Sequence, residues 1–217
     1  MRNCKPSRRN SKITNLSDLF DTLIRMVNRI LADANILFSR TLRDWLLLLR
    51  NETGGEIFTV AATEDVIAET IYRYRRRHPG APGQVLTAIH DRIVEQLDER
   101  ITDYIIDGSY PGTDVNDAHI HAAAVAARIT TLVTADRDFL TLSRRVKESL
   151  PYVIQSPDDF FVSIDDIAPD AVAAVARVQS SYWIQRRGTA DLIEYLRTAD
   201  CPQFASRIQT REISSEA

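Results

Sequence analysis

From Ile30 onward the chain changes character about every 15 to 25 residues, passing from short apolar runs to longer amphipathic stretches and back. Short apolar runs suit strands buried on both faces, and the longer stretches have the spacing of helices that cover such strands. The expected class is therefore α/β, an α/β/α sandwich built on a short, mostly parallel sheet. Four acidic islands stand at the joints of this alternation. They are Asp33 after Ile30-Leu31-Ala32, Glu69 in Val66-Ile67-Ala68-Glu69-Thr70, Asp114 and Asp117 in Asp114-Val115-Asn116-Asp117, and Asp136 and Asp138 in Leu132-Val133-Thr134-Ala135-Asp136-Arg137-Asp138-Phe139.

The punctuation of the chain supplies boundaries. A strand at 30–33 leads to a helix at about 36–51, ended by Gly54-Gly55, and a second helix at about 63–78 follows Thr63 and stops before Pro79. A third helix runs from Pro82-Gly83 to about Arg100, a strand follows at 102–106, and residues 107–112 are dense in turn formers. Val115 to Arg128 is alanine-rich, which favours a helix able to approach a sheet closely, and the next strand is expected at 130–134. Beyond Pro151 come a short strand and helical stretches at about 157–162, 170–181, 188–198 and 202–209. The organisation expected is a basic N-terminal extension over 1–28, an α/β domain over 29–164 and a helical C-terminal extension over 165–217. A chain of 217 residues, 44% apolar, is long enough for that.

Charge and cysteine usage narrow the partners. The first 29 residues hold seven Lys and Arg against Asp18 and Asp21 but lack the apolar core and cleavage site of a secretion signal. Leu16 to Val27 within them has helical spacing. Without those 29 residues, 20 basic face 28 acidic residues, a net of −8, so any binding of nucleic acid depends on local patches or metal ions. Cys4 and Cys201 stand near opposite ends with no CxxC pairing, which argues against both a disulfide framework and a thiolate metal site. The run Leu46 to Leu49 is stopped at Arg50, far short of a membrane span. A cytoplasmic protein without a membrane partner is expected.

The acids carry the chemistry. Side chains just past the carboxyl ends of parallel strands converge in one crevice, and Asp33 and Asp136 follow apolar strands directly. Glu69 and Asp117 reach the same crevice if their helices pack beside the first strand. Carboxylates that close resist joint ionisation unless a cation compensates them. Ligation by oxygen alone favours Mg²⁺ or Mn²⁺ over zinc, and such ions suit phosphodiester hydrolysis by water. Each acid also has a bland reading. Asp114 followed by Asp117 fits a helix cap and its first turn, Glu69 is placed for an ion pair with Arg73, and Asp138 fits the cap of a helix near Phe139. The basic run Arg73-Tyr74-Arg75-Arg76-Arg77-His78 could hold RNA phosphates and stack a base, or simply complement a helix C-terminus. His119 and His121 diverge on a helix, and Trp45 and Trp183 sit among apolar neighbours as core or interface residues.

Taken together, these motifs resemble the PIN-domain ribonucleases, in particular the VapC-type toxins of VapBC toxin–antitoxin pairs, over about residues 29–160. Asp33-Ala34-Asn35 is similar to the family's opening Asp-x-Asn/Ser, Glu69 to its helical glutamate, Asp117 to its third acid, and Thr134-Ala135-Asp136-Arg137-Asp138-Phe139 to its closing Thr-x-Asp-x-x-Phe. The resemblance implies an endoribonuclease in which Asp33, Asp117 and Asp136 hold Mg²⁺ or Mn²⁺ and Glu69 binds the ion or positions water. Asn35 and Thr134 would orient carboxylates or a scissile phosphate, with Asp114 and Asp138 as additional ligands, while the basic run offers Arg73 and Arg76 as substrate-positioning residues. The resemblance further implies an RNA substrate cut to 5′-phosphate and 3′-hydroxyl ends, a VapB-type antitoxin, and a homodimer or toxin–antitoxin hetero-oligomer. A metal-dependent phosphatase, a DNA nuclease and a non-catalytic interaction module remain alternatives from the residues themselves.

Overall fold

The computed structural model describes residues 27–216 of the chain. The basic arm up to Met26, the helical spacing expected from Leu16 to Met26, and Cys4 lie outside the described residues. Five strands, β1 (Asn28–Ala32), β2 (Phe58–Thr63), β3 (Glu99–Ile101), β4 (Thr131–Val133) and β5 (Val153–Gln155), form one sheet in the order β3-β2-β1-β4-β5. Every pairing is parallel. From the centre at β1 the chain winds outward through β2 to β3, then crosses back to add β4 and β5 on the other side. The winding reverses between β1 and β4, and a crevice opens beyond the carboxyl ends of strands at such a point. Ile30, Leu31 and Ala32 are fully buried, as a central strand covered on both faces requires.

Around the sheet lie α1 (Ala34–Phe38), α2 (Arg40–Glu52), α3 (Glu64–Arg77), α4 (Gly83–Gln96), a 3-10 turn (Val115–Asp117), α5 (Ala118–Ala126), α6 (Arg137–Leu140), α7 (Arg144–Ser149), α8 (Pro157–Ile167), α9 (Pro169–Arg187), α10 (Leu192–Thr198) and α11 (Pro202–Glu216). The helix expected at 36–51 is two helices broken at Ser39, whose backbone turns extended (ψ 115°) and whose hydroxyl caps α2 through the Leu42 amide. Arg43 donates 2.7 Å to the Leu37 carbonyl, satisfying an acceptor near that break. Strand β2 was not expected. It is buried throughout except at Thr59, and Thr63 at its end caps α3 through the Val66 amide, so strand and cap share one residue.

The strand expected at 102–106 lies instead at 99–101. Its last register pair is Thr63 with Ile101, where β2 ends, so residues 102–106 have no neighbouring strand to bond and Ile105 and Ile106 are exposed. Helix α4 stops at Gln96 rather than near Arg100 because Asp98 is taken by the sheet edge. Its carboxylate accepts from the Val60 amide at 2.8 Å and pairs with Arg50. The alanine-rich segment begins as the 3-10 turn and becomes α5, burying Ile120 and Ala122 to Ala124 against the core.

Three of the C-terminal helices are longer than their sequence spacing suggests, α10 begins later than the expected residue 188, and α8 runs across residue 164. They share one continuous core with the sheet: Trp45 meets Phe204 edge-on at 4.9 Å and Phe58 meets Phe160 at 5.2 Å. Asp158, buried on α8, accepts from the Gln203 and Phe204 amides at 3.1 and 2.8 Å and so caps α11 from another helix. Asp158→Ala leaves those amides without an acceptor and should cost about 1–3 kcal/mol, read as a lowered denaturant midpoint. An unchanged midpoint would show that water replaces the cap.

Candidate active site

Two adjacent strand ends are tied together at the switch point. The Asp33 amide donates 3.1 Å to the Val133 carbonyl, fixing the exit of β1 beside that of β4. The buried Asp33 carboxylate accepts from the Ala34 amide at 2.6 Å, Asn35 Nδ2 at 2.5 Å and Thr134 Oγ1 at 2.6 Å. Thr134, fully buried, spends its one donor on Asp33 and accepts from the Asp136 amide at 2.9 Å. Asn35 completes the lashing, with Oδ1 accepting from the Ala135 amide at 2.9 Å. Asn35 and Thr134 thus both donate to the same oxygen of Asp33, Oδ2.

Asp136 occupies the N-cap of α6 and accepts from the Asp138 amide at 2.8 Å, so the cap is Asp136 and not Asp138. Asp138 instead stands in the first turn, where it meets Asp114 and Asp117. The ligand atoms of these three carboxylates lie within 4.8 Å of one another, and among the described residues no other such group of three or more acids, histidines or cysteines forms. Asp117 holds the N-cap position of α5, yet its side chain makes no capping bond there. Its Oδ2 accepts from the Tyr110 hydroxyl at 3.3 Å. Glu69, on α3, is half-exposed and ion-paired with Arg73 at 2.6 Å, while Arg76 leans over the Tyr72 ring at 5.9 Å.

Electrostatics join these residues into one site. Burial pushes the Asp33 carboxyl above its ordinary value; bonds from Thr134 and Ala34 oppose this, and the charges of Glu69 and Asp136 add to it. Burial raises Asp117 to about 6, helped by the charges of Asp136, Asp114 and Asp33 and opposed by the Tyr110 bond. A cluster of acids that resists its own ionisation, offering oxygen alone, fits a hard divalent cation. Asp114, Asp117 and Asp138 are the residues whose atoms could share one ion. Asp33 and Asp136 back onto them with oxygens already bonded to the chain.

Tyr110 is a site residue that sequence reasoning passed over as part of a turn. Its ring lies 5.7 Å from Phe139 and 5.5 Å from His121, which in turn bonds the Tyr152 hydroxyl at 2.9 Å. Gly112 lets it fold there, since a Cβ at that position would collide with the Tyr110 ring. An aromatic inside a glycine- and proline-rich turn was the available signal. Thr134→Val removes the donor to Asp33 and the acceptor for Asp136 together. Loss of such an orienting residue typically costs about 10–100-fold in activity or metal affinity, so divalent-ion affinity should fall within that range by calorimetry. An unchanged affinity would deny Thr134 that role.

Comparison with curated proteins and with solved structures finds no match to the chain. The family model described as the VapC50 C-terminal domain matches residues 157–210, from the start of α8 into α11, and this points to a VapC-type toxin family.

Proposed function

We propose that the chain is a Mg²⁺- or Mn²⁺-dependent endoribonuclease of PIN type, acting as the toxin of a toxin–antitoxin pair in the cytoplasm and restrained by a VapB-type antitoxin. The observation that carries this reading is the grouping of Asp114, Asp117 and Asp138 within 4.8 Å, set against Asp33 and Asp136 at the switch point of a parallel sheet. A family match confined to residues 157–210 supports the toxin half of it. Among the described residues no helix is long and apolar enough to cross a membrane.

When bound, a divalent ion supplies positive charge for the scissile phosphate and acidity for the attacking water. The chain's own residues do the rest. Asp114, Asp117 and Asp138 would hold the ion, and Asp33 and Asp136 would add negative charge beside it. Asn35 and Thr134 would hold the Asp33 carboxylate in one rotamer, and the Asp138 amide would hold that of Asp136. Glu69, paired with Arg73 on α3, would bind the ion or position the water, and Arg73 and Arg76 would position the substrate. The domain is taken to end near residue 164, with 165–217 as its extension.

The test is cleavage of RNA, DNA and a phosphomonoester with Mn²⁺ and with EDTA, together with growth on induction. RNA cleavage with Mn²⁺ alone, lost in Asp33→Asn and Asp136→Asn together with growth arrest, is expected. Cleavage that survives EDTA, or full activity in either variant, would remove the assignment.

A further inference from the structure

Helices α1 and α3 both lead away from the acids toward a second concave feature. Ser39 follows Asp33 by about 9 Å of helical rise, and Arg77 follows Glu69 by about 12 Å. Both residues line a groove of about 920 Å³ that is walled on one side by α2, α3 and α4 and on the other by α9 and α10. Six arginines line it: Arg40, Arg43, Arg77, Arg92, Arg186 and Arg187. The one carboxylate among its lining residues is Asp44. In a chain of net charge −3 this concentration is not a consequence of composition.

Asp44 pairs with Arg40 at 3.3 Å and with Arg43 at 3.9 Å, which leaves one carboxylate against six arginines. The Tyr182 hydroxyl accepts from Arg40 at 3.0 Å and from Arg186 at 3.1 Å, and the Tyr195 hydroxyl accepts from Arg187 at 3.0 Å. Arg40 and Arg187 each lie 4.5 Å from the Trp183 ring centre. Arg43 is held below its ordinary basicity by burial, and the neighbouring charges of Arg40 and Arg92 add to this while Asp44 offsets part of it. Arg77 and Arg92 have no carboxylate partner among the described residues. Tyr74, Tyr182 and Tyr195 stand between these charges.

A cationic groove interleaved with aromatic rings is complementary to a polyanion that carries flat bases, which binds through its phosphates and by stacking. An acidic polypeptide would match the charge and leave the rings unused. We propose that this groove seats single-stranded nucleic acid on one side of the scissile bond, with the C-terminal helices supplying one wall of it. This rests on the reading of the acids as a nuclease site, and it gives the extension a role in substrate binding. Of the basic run on α3, Arg77 and His78 line the groove, whereas Arg75 bonds the carbonyls of Pro79 and Ala81.

The test uses the full chain and a fluorescein-labelled single-stranded oligoribonucleotide in EDTA, so that binding is read by anisotropy apart from cleavage. Arg77→Ala with Arg92→Ala, and Arg186→Ala with Arg187→Ala, should each weaken binding about tenfold or more at 100 mM salt. The slope of log affinity against log salt should fall by about 0.7 for each phosphate that the groove no longer neutralises, and the corresponding lysine pairs should restore it. In the unaltered protein, Trp183 emission should change on binding because Arg40 and Arg187 of the groove stack on its ring, which is itself 8% exposed, whereas Trp45 is wholly buried. Unchanged affinity and slope in both alanine pairs would overturn the proposal, as would unchanged tryptophan emission at saturation. Binding of polyglutamate but not RNA through the same arginines would overturn it in favour of an acidic protein partner. A groove that binds RNA in a chain that never cleaves it with Mn²⁺ would sink the nuclease reading and leave the groove standing.

Discussion

Asp117→Asn should abolish divalent-dependent RNA cleavage and at the same time stabilise the metal-free protein. The expected loss is on the order of 10³-fold or more in rate, equivalent to about 4 kcal/mol of transition-state stabilisation. The gain has a separate cause. Asp117 is buried beside Asp136, Asp114 and Asp33, and its carboxyl is raised to about 6. Ionising it at neutral pH in the fold is therefore disfavoured relative to the unfolded chain, and the amide avoids that cost. Asn retains an acceptor for the Tyr110 hydroxyl, so local packing is kept. Thermal unfolding in EDTA should show a melting temperature higher by several degrees, beside an activity assay at background. A variant that loses both activity and stability would mean that Asp117 is structural.

The second large effect is the opposite response of the protein to pH and to divalent ions. A carboxyl whose folded value lies above its unfolded value contributes stability that is fully present below the unfolded value and is lost as pH rises through the folded one. For Asp117 the window runs from 3.8 to about 6, and Asp33 shifts in the same direction. Metal-free protein should thus lose stability between about pH 4 and pH 7, counter to the usual behaviour of paired carboxylates. Saturating Mn²⁺ at pH 7.5 should reverse the loss, with stabilisation of about 2.7 kcal/mol at a hundred times the dissociation constant, and should do little near pH 4. Melting curves across pH with EDTA and with Mn²⁺ measure both. A melting temperature flat across that window, and indifferent to Mn²⁺ at pH 7.5, would show that these acids neither repel one another nor bind the ion.

Folding changed which of the acids cap helices. In sequence, Asp33 and Asp136 had nothing obvious to compensate them, whereas Asp114 and Asp117 had the spacing of a helix cap. In the structure Asp33 and Asp136 are the caps, of α1 and α6, while Asp117 caps nothing and meets Asp114 and Asp138. The spacing of two acids along a helix start cannot tell whether the side chain folds back on its own amides or is drawn off by a neighbour such as Tyr110. The element pattern was more legible. The α/β class and most helices follow from local periodicity and from Gly, Pro and Thr punctuation. Strand β2 escaped because Phe58 to Thr63 becomes a strand through hydrogen bonds to β1 and β3, which lie far away in the chain.

The sequence by itself determined which residues would terminate apolar strands and helices, because hydrophobic periodicity and turn chemistry are properties of neighbours in the chain. On those grounds Asp33, Thr134 and Asp136 were placed at strand ends, and the family resemblance was drawn from such local motifs. Only the tertiary structure decided that β1 and β4 lie side by side, which lets Thr134 bond Asp33 across 101 positions. It alone decided that arginines from α2, α3, α4 and α9 line one groove. Strand order and helix packing are set by burial of the shared core, a property of the whole chain, so no local window of residues contains them.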